Sequence, residues 1–248
     1  MFMDTFFMHA GRWIGALSLC IAGQYVWAEE VRNPDPWEGY NRAMYSFNRT
    51  VDRYTLRPLA KGYVYVTPKF VRKGVTNVFN NVGEVPNILN GVLQGRPGQA
   101  TKDTGRLLVN STIGLAGLFD VAKYMGMKSG DGEDFGQTLA VWGVAQGPYI
   151  VLPFLGPSTV RDTFALPADW YSDPRTYIDH IPTKNTSRAV GLLDIRANLL
   201  DLERHITGDE YTFVRDAFLQ RRAFLVKNGE IEDDFGGDDF GDDEDYGY

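Results

Sequence analysis

Residues 135–160, FGQTLAVWGVAQGPYIVLPFLGPSTV, run without a charge between Asp134 and Arg161. A stretch of this length would cross a bilayer as a helix, since a span needs about 20 apolar residues. Gly143, Gly147, Pro148, Pro153, Gly156 and Pro157 exclude one straight helix, because proline removes a backbone donor and glycine lowers helix propensity. Irregular backbone at membrane depth must be covered by protein or line a cavity, since lipid offers its N–H and C=O groups no partner. The stretch therefore reads in two ways: as a buried core loop, or as apolar backbone beside a lipid-accessible channel.

Working outward, residues 107–122, LLVNSTIGLAGLFDVA, carry one charge, Asp120, between Arg106 and Lys123. As a helix this segment would reach about 24 Å, short of a bilayer core. Gly114 and Gly117 would permit close helix contact. It reads equally as a buried core helix or as an interfacial helix seated in one leaflet.

The amino terminus reads as an export signal over residues 1–28. Arg12 precedes the apolar run WIGALSLCIAG, and Val26-Trp27-Ala28 offers a small-residue cleavage site before Glu29. Asp4 sits oddly in such a signal, and a start at Met8 would remove it. Cys20 is the only cysteine, which excludes an internal disulfide and any multi-cysteine metal site. It reads either as a lipidation site or as a small apolar residue of a discarded signal; Leu19 just before it is larger than a lipoprotein signal normally has. Two such apolar stretches, one uncharged and one with a single charge, favour a peripheral membrane protein in an exported chain.

Residues 230–248, EIEDDFGGDDFGDDEDYGY, hold ten acidic residues and no Lys or Arg. The formal charge of −7 thus combines a tail of −10 with a remainder of +3. A segment that repels itself and has little to bury is expected to be disordered, and it reads either as a solubilising tail or as a docking or metal-gathering segment with Phe235, Phe240, Tyr246 and Tyr248 as its contacts. The body, residues 29–229, amounts to one domain. Its periodicities are helical. Residues 38–55 set Tyr40, Met44, Phe47 and Val51 on one face. Pro68 starts a second helix with Phe70, Val71, Val75, Val78 and Phe79 inward, and Pro86 a shorter one closed by Gly95. Residues 98–122 are helical in two parts split near Gly114. Residues 185–207 form a long amphipathic helix, and 209–228 another, opened by Asp209 and Glu210 and stopped by Gly229. Only YVYV at 63–66 and YIVL at 149–152 resemble strands. The fold class is all-α with long Gly/Pro-rich loops.

Catalytic chemistry is poorly represented. His180 and His205 are the histidines after the signal, and a zinc site would have to rest on them plus carboxylates at no recognisable spacing. No Gly-x-Ser-x-Gly elbow, phosphate-cradling loop or dinucleotide fingerprint is present. No catalytic residue, metal or cofactor is assigned, and interspersed charges together with export argue against nucleic acid. Moving or holding a lipid needs apolar walls, a polar exit and controlled access, but no catalytic group.

Asp35-Pro36-Trp37-Glu38-Gly39-Tyr40-Asn41-Arg42 with Met44-Tyr45-Ser46-Phe47-Asn48, Asn77-Val78-Phe79-Asn80-Asn81, Asn110-Ser111-Thr112-Ile113-Gly114, Asp134-Phe135-Gly136-Gln137-Thr138-Leu139, Gly147-Pro148-Tyr149 and Gly156-Pro157-Ser158 resemble the MlaA (VacJ) family of outer-membrane phospholipid-transport proteins. The likeness runs over roughly residues 34–228. It implies a ring-shaped helical domain around an amphipathic channel, in the inner leaflet of the outer membrane on its periplasmic face. The implied partners are phospholipid, a trimeric porin and a periplasmic lipid-carrier protein. The implied task is removal of phospholipids misplaced in the outer leaflet, which maintains lipid asymmetry. A non-transport adaptor that anchors a partner to porins is the alternative.

In the family a local change beside the Phe-Asn pair of the first helix is linked to uncontrolled lipid flow; here that pair is Phe47-Asn48. Further candidates for the lipid path are Phe119, Trp142, Tyr149, Leu152 and Phe154. The resemblance also implies a basic residue for a phosphate headgroup near the late long helix, where Lys184 and Arg188 are the candidates. Family members are typically lipoproteins, which bears on Cys20.

Overall fold

The computed structural model describes residues 34–130, 132–201, 203 and 208–229. The expected export signal with Cys20, the acidic tail and His205 lie outside the described residues. The order is α1 (Glu38–Tyr54), α2 (Leu56–Val66), α3 (Lys69–Leu93), α4 (Pro97–Thr112), α5 (Val121–Tyr124), α6 (Phe135–Val141), β1 (Tyr149–Leu152), β2 (Gly156–Thr159), α7 (Val160–Ser172), a 3-10 turn (Pro174–Tyr177), α8 (Ile181–Leu199) and α9 (Glu210–Val226). The two strands form one antiparallel hairpin, with Tyr149 opposite Thr159 and Leu152 opposite Gly156. The rest is helix and loop, as the all-α expectation holds.

Side-chain caps set many helix starts. Asp134 accepts from the Gln137 N–H at 2.8 Å, and Thr159 from the Asp162 N–H at 3.2 Å. Asp209 opens α9, and the His180 ring opens α8. The latter gives His180 a structural role. It also starts α8 at Ile181, four residues before the sequence places it.

Three expectations are corrected. Pro86 does not start a helix; it sits inside the 25-residue α3. Proline's φ suits a helix and costs one backbone bond there. The adjoining turn is held from outside by Arg106 of α4, which donates to Glu84 at 2.7 Å. YVYV at 63–66 lies in α2, whereas YIVL does form a strand. A single helix through 107–122 does not form, whereas the split expected near Gly114 does: α4 stops at Thr112, residues 113–120 turn back as a loop, and α5 follows at Val121. Leu115, Ala116 and Gly117 there have left-handed φ of 52°, 57° and 89°. Gly117 has no room for a side chain: a Cβ would stand 2.7 Å from that of Asn81.

The distribution of residues between inside and outside is inverted relative to a water-soluble domain. Among the described residues the buried apolar ones are five alanines with Tyr149, Val151 and Tyr211. Buried beside them are Asn41, Glu84, Asn90, Asp103, Arg106, Asn110, Gln137, Thr138, Asp194 and Arg222, among other polar groups. Large apolar residues lie outside instead, including Tyr65, Phe70, Phe154 and Phe164, each more than 70% exposed. Phe70 and Val71, expected inward, are thus exposed. α8 shows the logic in one helix. Gly191, Asp194 and Ala197 face the interior, while Val190, Leu192, Ile195 and Leu199 face out. No described helix is long and apolar enough to cross a membrane.

Candidate functional site

The charge-free stretch resolves into α6, a loop and the β1–β2 hairpin, and two asparagines of α1 hold that hairpin. Asn41 and Asn48 are seven residues apart, two helical turns, so their side chains leave the same face. The Asn41 side-chain N–H donates to the Tyr149 carbonyl at 3.1 Å, and its Oδ1 accepts from the Val151 N–H at 2.8 Å. Asn48 repeats the pattern at the tip: it donates to the Leu152 carbonyl at 2.8 Å and accepts from the Phe154 N–H at 2.7 Å. Each primary amide offers a donor and an acceptor side by side, as a neighbouring strand would. The outer edge of β1 is therefore satisfied by a helix.

Asn41 is itself oriented by Asp35, to which it donates at 2.7 Å. Asp35 also accepts from the Tyr211 hydroxyl of α9 and from Arg215 at 3.4 Å. Burial, reinforced by nearby Asp35, pushes the Tyr149 hydroxyl up to about 12. Burial and the bond to Asp35 likewise raise that of Tyr211. Both remain neutral phenols.

At the hairpin tip Phe154 takes φ +62° and presents its ring outward, 73% exposed. Phe47 of α1 meets it edge to face, with centroids 5.3 Å apart. The structure thus brings Phe47, Asn48, Leu152 and Phe154 to one place. Tyr149 is not beside them on the surface; it is fully buried, packed between Tyr211 and Phe218. Its place is beneath the hairpin. Trp142 caps α6, donates to the Leu93 carbonyl at 3.0 Å and packs against Phe135. Phe119 projects from the loop before α5, 55% exposed. Lys184 and Arg188 both fall inside α8, not ahead of it; Lys184 is half-buried, and exposed Arg188 donates to Thr176 at 3.1 Å.

Behind the hairpin an ion network ties α6, α7 and α9. Arg222 donates to Asp134 at 2.7 Å and to Asp162 at 2.9 Å. Burial opposes charge on Asp134, yet Arg222 and the Gln137 N–H hold its carboxyl below the usual range. Asp169 accepts from the Phe135 N–H at 2.7 Å, but burial pushes its carboxyl up to about 6. Gly136 lies against this network: a Cβ there would come within 2.3 Å of the Arg222 guanidinium and displace it. The sequence did not single out this network or Asn41. The repeat of asparagine at positions 41 and 48 was the available signal. The charges that bracket the apolar stretch, Asp134 and Arg161-Asp162, were the other.

The arrangement positions apolar rings and fixes a loop. Among the described residues no group of three or more His, Cys, Asp or Glu is placed to hold a metal. Residues 33–225 match the MlaA lipoprotein family profile. The chain is 35% identical over 203 residues to the Escherichia coli (strain K12) protein named intermembrane phospholipid transport system lipoprotein MlaA, covering 80% of each. It is 30% identical over 208 residues to the Haemophilus influenzae protein of that name, covering 79% of this chain and 81% of the relative. A solved structure, from work on the structural basis for maintenance of bacterial outer membrane lipid asymmetry, superposes with a TM-score of 0.68 at 34% identity, over 77% of this chain and 98% of that one.

Proposed function

Since the chain belongs to the MlaA lipoprotein family, we propose that it is the outer-membrane component of an intermembrane phospholipid transport system. In this reading it collects phospholipids misplaced in the outer leaflet and passes them inward, which preserves lipid asymmetry. The observation that carries the proposal is the inverted burial pattern. A polar, ion-paired interior beneath an apolar exterior suits a body surrounded by acyl chains. With no described helix both long and apolar enough to span, seating in one leaflet fits the two observations together. We place it in the inner leaflet, on the periplasmic face, as a ring around an amphipathic channel.

The exposed pair Phe47–Phe154, with Leu152, Trp142 and Phe119, supplies apolar surface for acyl chains, and Asn48 fixes the tip that carries Phe154. Lys184 and Arg188 supply cationic contacts for a phosphate headgroup. The protein does no bond-breaking chemistry and takes no cofactor. A trimeric porin holds it beside the outer leaflet, and a periplasmic carrier receives the lipid. Residues 1–28 act as the export signal, with Cys20 lipidated or the chain cut after Ala28. The mass of the amino terminus, measured on protein from outer membranes, decides between those two.

The functional test is complementation. A strain lacking the protein is supplied with wild type, Leu152→Asp or Phe154→Asp, and outer-leaflet phospholipid and detergent resistance are measured. Wild type restores both. Each variant is exported to normal levels and restores neither, because a carboxylate on the lipid path costs several kcal/mol to desolvate. Full restoration by stably expressed Leu152→Asp counts against the proposed path. Copurification of a partner without lipid would favour the adaptor reading.

A further inference from the structure

Residues 53–73, RYTLRPLAKGYVYVTPKFVRK, contain six basic residues and no acidic one. They cover the end of α1, all of α2 and the start of α3. Arg57 lies 3.7 Å from Glu203, a distance at the loose end of ion pairing. No carboxylate of the described residues neutralises Arg53, Lys61, Lys69, Arg72 or Lys73, and all but Arg72 are exposed. The buried face of α2, with Ala60, Tyr63 and Val64, packs toward α8, where Tyr63 donates to Asp194 at 3.5 Å.

The opposite side of α2 carries Lys61 and Tyr65 on one flank and Leu59 and Val66 on the other, within an arc of about 160° at 100° per residue. Tyr65 is 91% exposed. α3 repeats the combination, with Lys69, Lys73 and the exposed Phe70 within about 100°. Lysine beside tyrosine and phenylalanine beside aliphatic residues is the composition of the membrane–water boundary. There the rings sit at headgroup depth and the lysines reach the phosphates.

We propose that this face binds anionic phospholipid, with Lys61, Lys69 and Lys73 reading headgroup charge while Tyr65 and Phe70 enter the acyl boundary. A zwitterionic surface would satisfy the aromatic residues but leave the unopposed positive charges without a counterion. An acidic protein surface would satisfy the charges but not these apolar side chains. The inference rests on the leaflet-seated reading above and adds the lipid class that is met at this face.

The test uses the full chain, purified in mild detergent and diluted into vesicles of phosphatidylcholine alone or mixed with phosphatidylglycerol. Flotation is measured at low and high salt. Wild type binds the phosphatidylglycerol vesicles on the order of tenfold or more tightly at low salt, and the preference shrinks at high salt, because each basic residue near an anionic surface adds about 1 kcal/mol. Lys61→Gln/Lys69→Gln/Lys73→Gln binds both vesicles equally, at the wild-type level for phosphatidylcholine. Tyr65→Ser/Phe70→Ser weakens binding to both. All substituted side chains are exposed, and unchanged circular dichroism checks the fold. A triple variant that keeps the preference overturns the inference, as does equal binding of both vesicles by wild type. If the triple variant keeps the lipid preference but loses a copurifying protein, the face belongs to that protein. Failure of wild type to bind either vesicle instead overturns the leaflet-seated reading itself.

Discussion

At the scale of single residues, Asn48 does the most with the least. Its two bonds fix the hairpin tip from a helix more than 100 residues away in the chain. Asn48→Ala removes both and leaves the Leu152 carbonyl and the Phe154 N–H without partners, at about 1–3 kcal/mol. Faster hydrogen exchange confined to residues 152–155, with the buried pair Tyr149 and Val151 still protected through Asn41, is the expected signature. Unchanged exchange at Phe154 would show that the tip is held by something else. Asp169 makes an opposite prediction. Its carboxyl is raised to about 6 by burial, against an ordinary 3.8, so the folded state favours the protonated form. That contribution is full below pH 4 and lost as pH rises toward 6. Asp169→Asn keeps an acceptor for the Phe135 N–H without the charge. Its melting temperature therefore rises relative to wild type between pH 4 and 6, by about 1–3 kcal/mol of stability, and the gain levels off above. Melting curves across that range in one detergent decide it.

At the scale of elements, side-chain caps made helix starts readable, and packing partners did not. Asp209 announces α9, and the prolines and glycines of residues 135–160 correctly exclude a single helix. Pro86 misleads because a helix start and a tolerated interior proline look alike until the buried Arg106–Glu84 pair that holds the adjoining turn is known. YVYV misleads because four residues cannot distinguish strand alternation from one face of a helix. For the site, Phe47-Asn48 and Leu152 with Phe154 could each be picked out, but their meeting could not, since it needs α1 laid against β1. For the ion network of α6, α7 and α9 the bracketing charges Asp134 and Asp162 are visible in the sequence, but Arg222, which joins them from α9, is not. Gly136→Ala tests it. The methyl group would displace Arg222 from Asp134 and Asp162, and breaking one side of a buried ion cluster costs about 3–5 kcal/mol. A large drop in melting temperature is expected, whereas Ala at exposed Gly62, with open space around its Cβ, changes little. A Gly136→Ala protein as stable as wild type would mean that Arg222 has another place to go.

At the scale of the molecule, stability depends on what surrounds it. With alanines and polar groups inside and rings outside, little apolar area leaves water when this chain folds alone, and that area is the main driving term for ordinary domains. Polar contacts such as Arg106–Glu84 and Arg196–Asp52 define the interior instead. The protein is expected to melt at a markedly higher temperature in detergent or lipid than after detergent removal, where it aggregates through its exposed aromatic residues. Similar melting with and without detergent would remove the case for an acyl environment.

The same inversion bears on the chain's journey. On the function proposed above, a polypeptide that gains its main stabilisation on meeting lipid would cross an aqueous compartment before that energy is available. Such a chain would need an escort, and its arrival and its final folding would become a single event. The membrane is in this sense the last part of its structure to be assembled.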